Sequence, residues 1–292
     1  MPAITSPFLV TDGRDFRLRQ VDPQGPRRLP LSKEEAAAQL PRTIARLVGL
    51  QEKLYAHGKW GVLLIFQAMD AAGKDSAIKH VLSGVNPQGC QVASFKVPSS
   101  EELNHDFLWR TTVRLPERGR IGIFNRSYYE EVLIARVHPE LLDSQRLPPE
   151  VMTRNIWKER FEDIRASELH LARSGFVIRK FFLHVSKEEQ RQRFLKRLDE
   201  ADKRWKFSMG DVQERALWRN YMKAYEDMIR HTSAPHAPWV VVPADRKWLT
   251  HYLIARAVVD AIDALDLRLP KMSSAKRLEL ESARRELESQ GR

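Results

Sequence analysis

The sequence contains a single cysteine, Cys90, among its 292 residues. That excludes an intramolecular disulfide and a thiolate cluster for structural zinc, and nothing points to an oxidising compartment. No run of about 20 apolar residues is present to span a bilayer. The opening stretch "MPAITSPFLVTDGRDFRLRQ" lacks the basic-then-apolar order of a secretory leader. A cytoplasmic, soluble protein without a membrane partner is the resulting expectation. Internal repeats and long low-complexity runs are also missing, which excludes repeat architectures. Acidic charge is scarce by comparison with basic: 38 Asp and Glu against 49 Lys and Arg, a net +11. This excess favours an anionic partner. Nucleic acid, nucleotide, membrane lipid and inorganic polyanion meet that requirement equally well.

What is present reads as a globular α/β chain. The first thirty residues, through "VDPQGPRRLP", are polar and rich in Pro and Gly, and read as an extended arm rather than a core element. "LSKEEAAAQLPRTIARLVGLQEKLYAHGK" follows, with Ser32 and Glu35 spaced as a capping box. From Trp60 onward, branched apolar runs alternate with helical stretches: "GVLLIF", "QVASFK", "RIGIFN", "GFVIRKFFLHV" and "WVVVPA". A parallel sheet covered on both faces requires this rhythm. Ile156, Phe161, Ile164 and Leu171 form a helical packing stripe. Capping signals at Ser186 and Ser208 flank the basic break "DEADKRWKF", which reads as the tip of a helical hairpin able to move over a site. The division expected is an arm at 1–30, a main domain at 31–265 with a helical lid at about 186–231, and a charged tail at 266–292.

The stretch "GVLLIFQAMDAAGKDSAIKHV" runs from an apolar strand through a turn into a helix. A phosphate-binding loop of the usual kind has a first glycine and a hydroxyl after its lysine. Here Ala68 and Asp75 stand at those places, while Gly73 and Lys74 remain. The backbone N–H groups of Ala71, Ala72, Gly73, Asp75 and Ser76 suit phosphate oxygens, and Lys74 suits an outer phosphate. A carboxylate beside phosphate repels it unless a cation intervenes or it caps the helix. A phosphate-bound Mg²⁺ therefore accounts for Asp70 and Asp75. After a further strand comes "NRSYYEEVL", placing Asn125 and Arg126 where α/β nucleotide-binding domains bring a second strand end beside the first loop. Arg126 suits bidentate phosphate contact. Asn125 holds a metal-bound water without adding charge, so Asp70 carries more of the ion, with Glu130 or Glu131 as water-mediated contributors. His105 and Arg110 are further phosphate-contact candidates. Phe107, Trp109, Trp205 and Phe207 either stack on a base or pack in the core. Tyr128 and Tyr129 are expected to be one core residue and one cleft residue.

The strings "QAMDAAGKDSAIKHVLSGVNPQG", "SFKVPS", "HDFLWR", "GRIGIFNRSYYEEVLIARVHPE", "IRKFFLHVSKEEQRQRFLKRLDE" and "RWKFS" resemble the second family of polyphosphate kinases. "AMDAAGKD" and "FNRSYYEEVL" look like its class III. The likeness runs over residues 10–265, and the charged tail lies beyond it. It implies a three-layer P-loop kinase fold similar to thymidylate kinase, with a parallel central sheet and a helical lid. It also implies phosphoryl transfer from inorganic polyphosphate to AMP and ADP with Mg²⁺ or Mn²⁺, and a homo-oligomer. Guanine nucleotides are further candidate partners, and nucleic acid is not expected. By motif, Asp70, Lys74 and Arg126 become the catalytic set. Asn125 takes a place that is aspartate in the single-acceptor classes. Lys203, Arg204 and Lys206 fall in the lid, and Arg179 and Lys180 match basic residues of the donor path. Two competitors stay open: an ATP-dependent nucleoside monophosphate kinase, and a non-catalytic nucleic-acid-binding protein whose groove is the basic lid.

Overall fold

The computed structural model describes residues 4–202, 204–270 and 272–290. Its strands are β1 (Leu9–Val10), β2 (Gly61–Ala68), β3 (Cys90–Ser94), β4 (Ile121–Asn125), β5 (Phe176–His184) and β6 (Trp239–Pro243). Its α-helices are α1 (Lys33–His57), α2 (Lys74–Val81), α3 (Ser100–Leu103), α4 (Trp109–Thr112), α5 (Ile134–Val137), α6 (Ile156–Arg173), α7 (Lys187–Asp199), α8 (Met209–Ala216), α9 (Trp218–Thr232), α10 (Lys247–Asp263) and α11 (Ser274–Gln290).

One sheet in the order β1-β6-β5-β2-β4-β3 organises the chain, parallel from β6 to β3 and antiparallel only at β1. Every residue of β2 is buried, as befits a central strand covered on both faces. Helices α1, α2 and α10 form one covering layer, and α6 and α9 the other. The result is the three-layer α/β arrangement of a P-loop kinase. Leu249, Leu253, Ile254, Val258 and Ile262 show why α10 lies against the sheet beneath α1: it is apolar nearly all round. The capping box at the start of α1 forms as the spacing predicts, with Ser32 accepting from the Glu35 N–H and Glu35 from the Ser32 N–H.

The arm is more than an extended segment. Phe8 and Leu18 are buried, Leu9 and Val10 pair with Val240 and Trp239, and the Leu18 N–H donates to Glu226 on α9 at 2.8 Å. Gly13 fits against α9 so closely that a Cβ there would sit 2.3 Å from the Arg230 carbonyl oxygen. Two separated apolar residues docking on a preformed edge leave little periodicity in the sequence. Among the described residues no helix is long and apolar enough to cross a membrane.

Candidate functional site

Strand order reverses around β2, whose neighbours β4 and β5 belong to different halves of the sheet, and ligands of open α/β sheets bind beyond the strand ends at such a point. The loop leaving β2 there is tightly folded. Ala71 holds φ +62° and Gly73 φ +104°; the second suits glycine, and the first is strained for a residue with a Cβ. Lys74, at the first turn of α2, is buried and donates to the Ala68 carbonyl at 3.0 Å, so its ammonium lies back across the loop. Burial lowers its pKa, opposed by Asp70.

The end of β4 supplies the second half. The Arg126 N–H donates to the Phe66 carbonyl at 3.0 Å, with φ +64° at Arg126. The turn aims its guanidinium at the loop, where Nη2 lies 3.1 Å from Asp70 Oδ1. Burial works against that charge, but Glu130 and Asp70 outweigh it and raise the pKa above the usual arginine value. The Asn125 amide donates to Asp75 at 2.8 Å, so the two departures from the common loop pattern meet each other. Burial raises the Glu130 pKa, and Arg126 and Lys74 oppose it; this carboxyl belongs to the same charged cluster.

The cleft above these groups has a volume of about 720 Å³. Its walls run from Asp70 through Ser76 to Ser94, Phe95 and Lys96, and across to Arg193, Lys196, Arg197, Trp205 and Lys247. The α7 residues at 193, 196 and 197 share one helical face, a spacing visible in "RQRFLKR" but carrying no motif. Arg193 is the largest omission of the sequence reading. Its guanidinium donates to the Ala71, Ala72 and Ala244 carbonyls at 3.0, 2.8 and 2.6 Å and pairs with Glu189 one turn back on α7, binding α7 to the loop after β2. Gln190 adds a bond to the Asp70 carbonyl at 2.9 Å.

Other expected site residues stand elsewhere. Lys180 is wholly buried at mid-strand, where a polyanion has no access, and Arg179 beside it is also far from the strand end; it donates to the Ile178 carbonyl. Glu131 points away from the cleft and pairs with buried Arg160 at 3.0 Å, which removes it as a metal contributor. His105 stacks on Trp109 with centroids 4.0 Å apart and does not line the cleft. Arg110 lies behind the wall, over Phe95, and donates to the Lys96 carbonyl at 2.9 Å. Arg204 turns back onto α7, donating to the Leu198 carbonyl at 2.8 Å. Lys203 and the side chain of Lys206 lie outside the described residues. Tyr128 and Tyr129 are both core, their hydroxyls donating to Glu168 at 2.9 and 2.7 Å. Trp205 lines the cleft, whereas Phe207 packs edge-on against Phe194.

The donor set suits a hard divalent cation of limited protein ligation. Asp70 and Asp75 offer carboxylate oxygens at the loop, and no group of three or more His, Cys, Asp or Glu gathers as a cage among the described residues. Such a cation takes its remaining ligands from phosphate and water, as Mg²⁺ sites on nucleotides do.

The Polyphosphate kinase 2 (PPK2) family profile matches residues 30–270. The chain belongs to that family. It is therefore a polyphosphate kinase, an enzyme of polyphosphate-driven nucleotide phosphorylation. It is 53% identical over 257 residues to an ADP-polyphosphate phosphotransferase of Rhodopseudomonas palustris, covering 88% of this chain and 89% of the relative. It is 45% identical over 264 residues to an AMP/ADP-polyphosphate phosphotransferase of Meiothermus ruber, covering 90% and 94%. The fold matches the crystal structure of polyphosphate kinase 2 from Arthrobacter aurescens with a TM-score of 0.86 and 38% identity over 96% of this chain and 97% of that one.

Proposed function

We propose that this polyphosphate kinase moves the terminal phosphoryl group of inorganic polyphosphate onto both AMP and ADP, giving ADP and ATP, with Mg²⁺ or Mn²⁺ on the phosphates. The observation that carries the reading is the shape of the charge: Lys74 and Arg126 at the loop continue into Lys196 and Arg197 on the lid and Lys247 opposite, along one cleft. A path of cations suits a long polyanion better than a single triphosphate. The acceptor range is supported by the names of the two relatives, one an ADP and the other an AMP/ADP phosphotransferase. Asn125 supports it too, being neutral where a carboxylate would tie the cation to one position.

A terminal phosphate oxygen of the nucleotide attacks the end phosphorus of the chain. One P–O bond forms there, the bond to the penultimate phosphate breaks, and the chain leaves one unit shorter. The attacking oxygen is already ionised, so positioning and charge neutralisation supply most of the catalysis. Lys74 and the loop N–H groups hold phosphate oxygens, while Arg126 offsets charge on the transferred group. Asp70 and Asp75 would hold the cation, which when bound neutralises phosphate charge. Arg193 keeps the loop carbonyls turned away from the phosphates. Closure of α7 and α8 excludes water, which otherwise competes as acceptor.

The test is ATP formation from ADP and Mg²⁺ with polyphosphate or with GTP as donor. Turnover is expected with polyphosphate. Equal or faster turnover with GTP would replace this reading with that of a nucleotide-dependent kinase.

A further inference from the structure

The cleft leaves one costly feature of the interior unexplained. Lys180 is fully excluded from water and donates to three acceptors: Glu168 Oε2 at 2.6 Å, the Thr232 carbonyl at 2.7 Å and the Tyr129 hydroxyl at 2.9 Å. Glu168, on α6, is 1% exposed, and its other oxygen accepts from both Tyr128 and Tyr129. Thr232 closes α9, and its hydroxyl accepts from Trp239 Nε1 at 2.9 Å. One ammonium thus joins β5, α6, the turn after β4, and the last residue of the lid's return helix.

Packing alone does not call for ions here. Well-packed apolar residues of similar volume are often as stabilising as a buried ion pair, because the pair must first be stripped of water. Burial indeed pulls the Lys180 pKa down to about 8, against the opposing effect of Glu168. What ions add over apolar groups is direction: each bond fixes a particular atom of a particular element. One of those elements, the turn after β4, leads into the cleft. Tyr128 and Tyr129 follow Arg126 by two and three residues, and Arg126 holds a left-handed backbone that needs support on both sides. The Phe66 carbonyl restrains it from before, and the tyrosines restrain it from after.

We infer that Lys180 and Glu168 are a positioning pair for phosphoryl transfer, holding the Arg126 turn and the end of the lid's return helix to one buried point so that arginine and lid meet the phosphates in fixed relation. The inference rests on the proposed role of Arg126 in transfer. Neither residue touches substrate; both act through the elements they hold.

Lys180→Met alone would leave the Glu168 charge buried without a partner, so the informative variant is the pair Lys180→Met/Glu168→Leu. Its melting temperature is expected to stay within a few degrees of the parent, and its KM for ADP within about threefold, while kcat falls by about 30-fold, part of the loss seen on deleting a direct transition-state contact. A stable variant with parental kcat would overturn the inference, since a purely structural pair is replaceable. If the paired variant does not fold, Tyr128→Phe/Tyr129→Phe decides: it leaves the ion pair intact and releases the turn, and kcat should fall about 10-fold at unchanged KM, with an unchanged kcat overturning the inference. Hydrogen exchange needs no turnover and separates this inference from the functional reading. Exchange at 126–132 and at the last turn of α9 should accelerate together in Lys180→Met/Glu168→Leu, and at 126–132 with α9 little changed in Tyr128→Phe/Tyr129→Phe, where the Lys180 bond to the Thr232 carbonyl remains, even if the parent rejects polyphosphate as donor. Acceleration of only one segment in Lys180→Met/Glu168→Leu, or of neither in the tyrosine variant, would refute the coupling.

Discussion

Lys74 and Lys180 are both withdrawn from water, the first 9% exposed and the second not at all, and burial lowers the pKa of both. Their surroundings differ in what is left unspent. Lys180 has three acceptors for three N–H groups, one of them a carboxylate. Lys74 has one hydrogen-bond acceptor among the described residues, the Ala68 carbonyl, and forms part of the cleft wall. An ammonium that is desolvated but not saturated is ready for ligand oxygens, whereas a saturated one is committed to the fold. The same residue type thus takes different work according to whether it sits beyond a strand end, as Lys74 does after β2, or within a strand, as Lys180 does in β5.

The comparison breaks most sharply at Lys74. Lys74→Ala is expected to lose at least ~10²-fold in kcat, the size of a lost transition-state contact, with melting near the parent because one carbonyl bond is all that the fold gives up. A kcat close to the parent's, measured at saturating polyphosphate and ADP, would place Lys74 with Lys180 among structural lysines.

Lowering the pH probes the protein on both sides of the comparison. His251 stands behind the phosphate-loop helix, 3.4 Å from the Ser76 hydroxyl, and His184 ends the strand that carries Lys180. Burial lowers both pKa values to about 4. The unfolded chain, with imidazoles near 6.5, binds more protons between those values, so stability falls as pH drops from about 6.5 towards 4 and is insensitive to these groups above that window. Between pH 7 and pH 5 each imidazole should cost about 2 kcal/mol, read from urea midpoints. His184→Gln and His251→Gln should each flatten the slope; an unchanged slope in either variant would remove that histidine from the account.

The smallest effect is expected at Asn125, where the contrast between a neutral and a charged partner can be drawn within the cleft. Asn125→Asp sets a carboxylate against Asp75, now 2.8 Å from the amide, and restricts where the cation can sit. Its kcat/KM should fall several-fold more for AMP than for ADP, by about 1 kcal/mol in differential transition-state binding. Equal proportional losses would show that this position does not set acceptor range.

The local frame of the candidate site was legible in the sequence. The phosphate loop, Lys74, Asp70 and the Asn125–Arg126 pair each follow a strand end, and strand, turn and helix signals are properties of neighbouring residues. Arg193 was not legible as a site residue: its pairing with Glu189 one turn back reads as an ordinary helix-surface ion pair, and the contacts that bring it to the loop are to the Ala71, Ala72 and Ala244 carbonyls, which any residue would provide. Lys180 and Glu131 were misread for a related reason: each charge has a partner, Glu168 or Arg160, that lies far enough along the chain for no spacing to reveal it.

The sequence by itself determined the alternation of apolar strands with capped helices, the turn residues of the phosphate loop and the excess of positive charge, since these follow from short-range geometry and composition. Only the tertiary structure decided which basic groups reach the cleft. Direction and burial depend on contacts between distant segments, and a lysine in a strand reads alike whether its ammonium meets phosphate or a buried carboxylate.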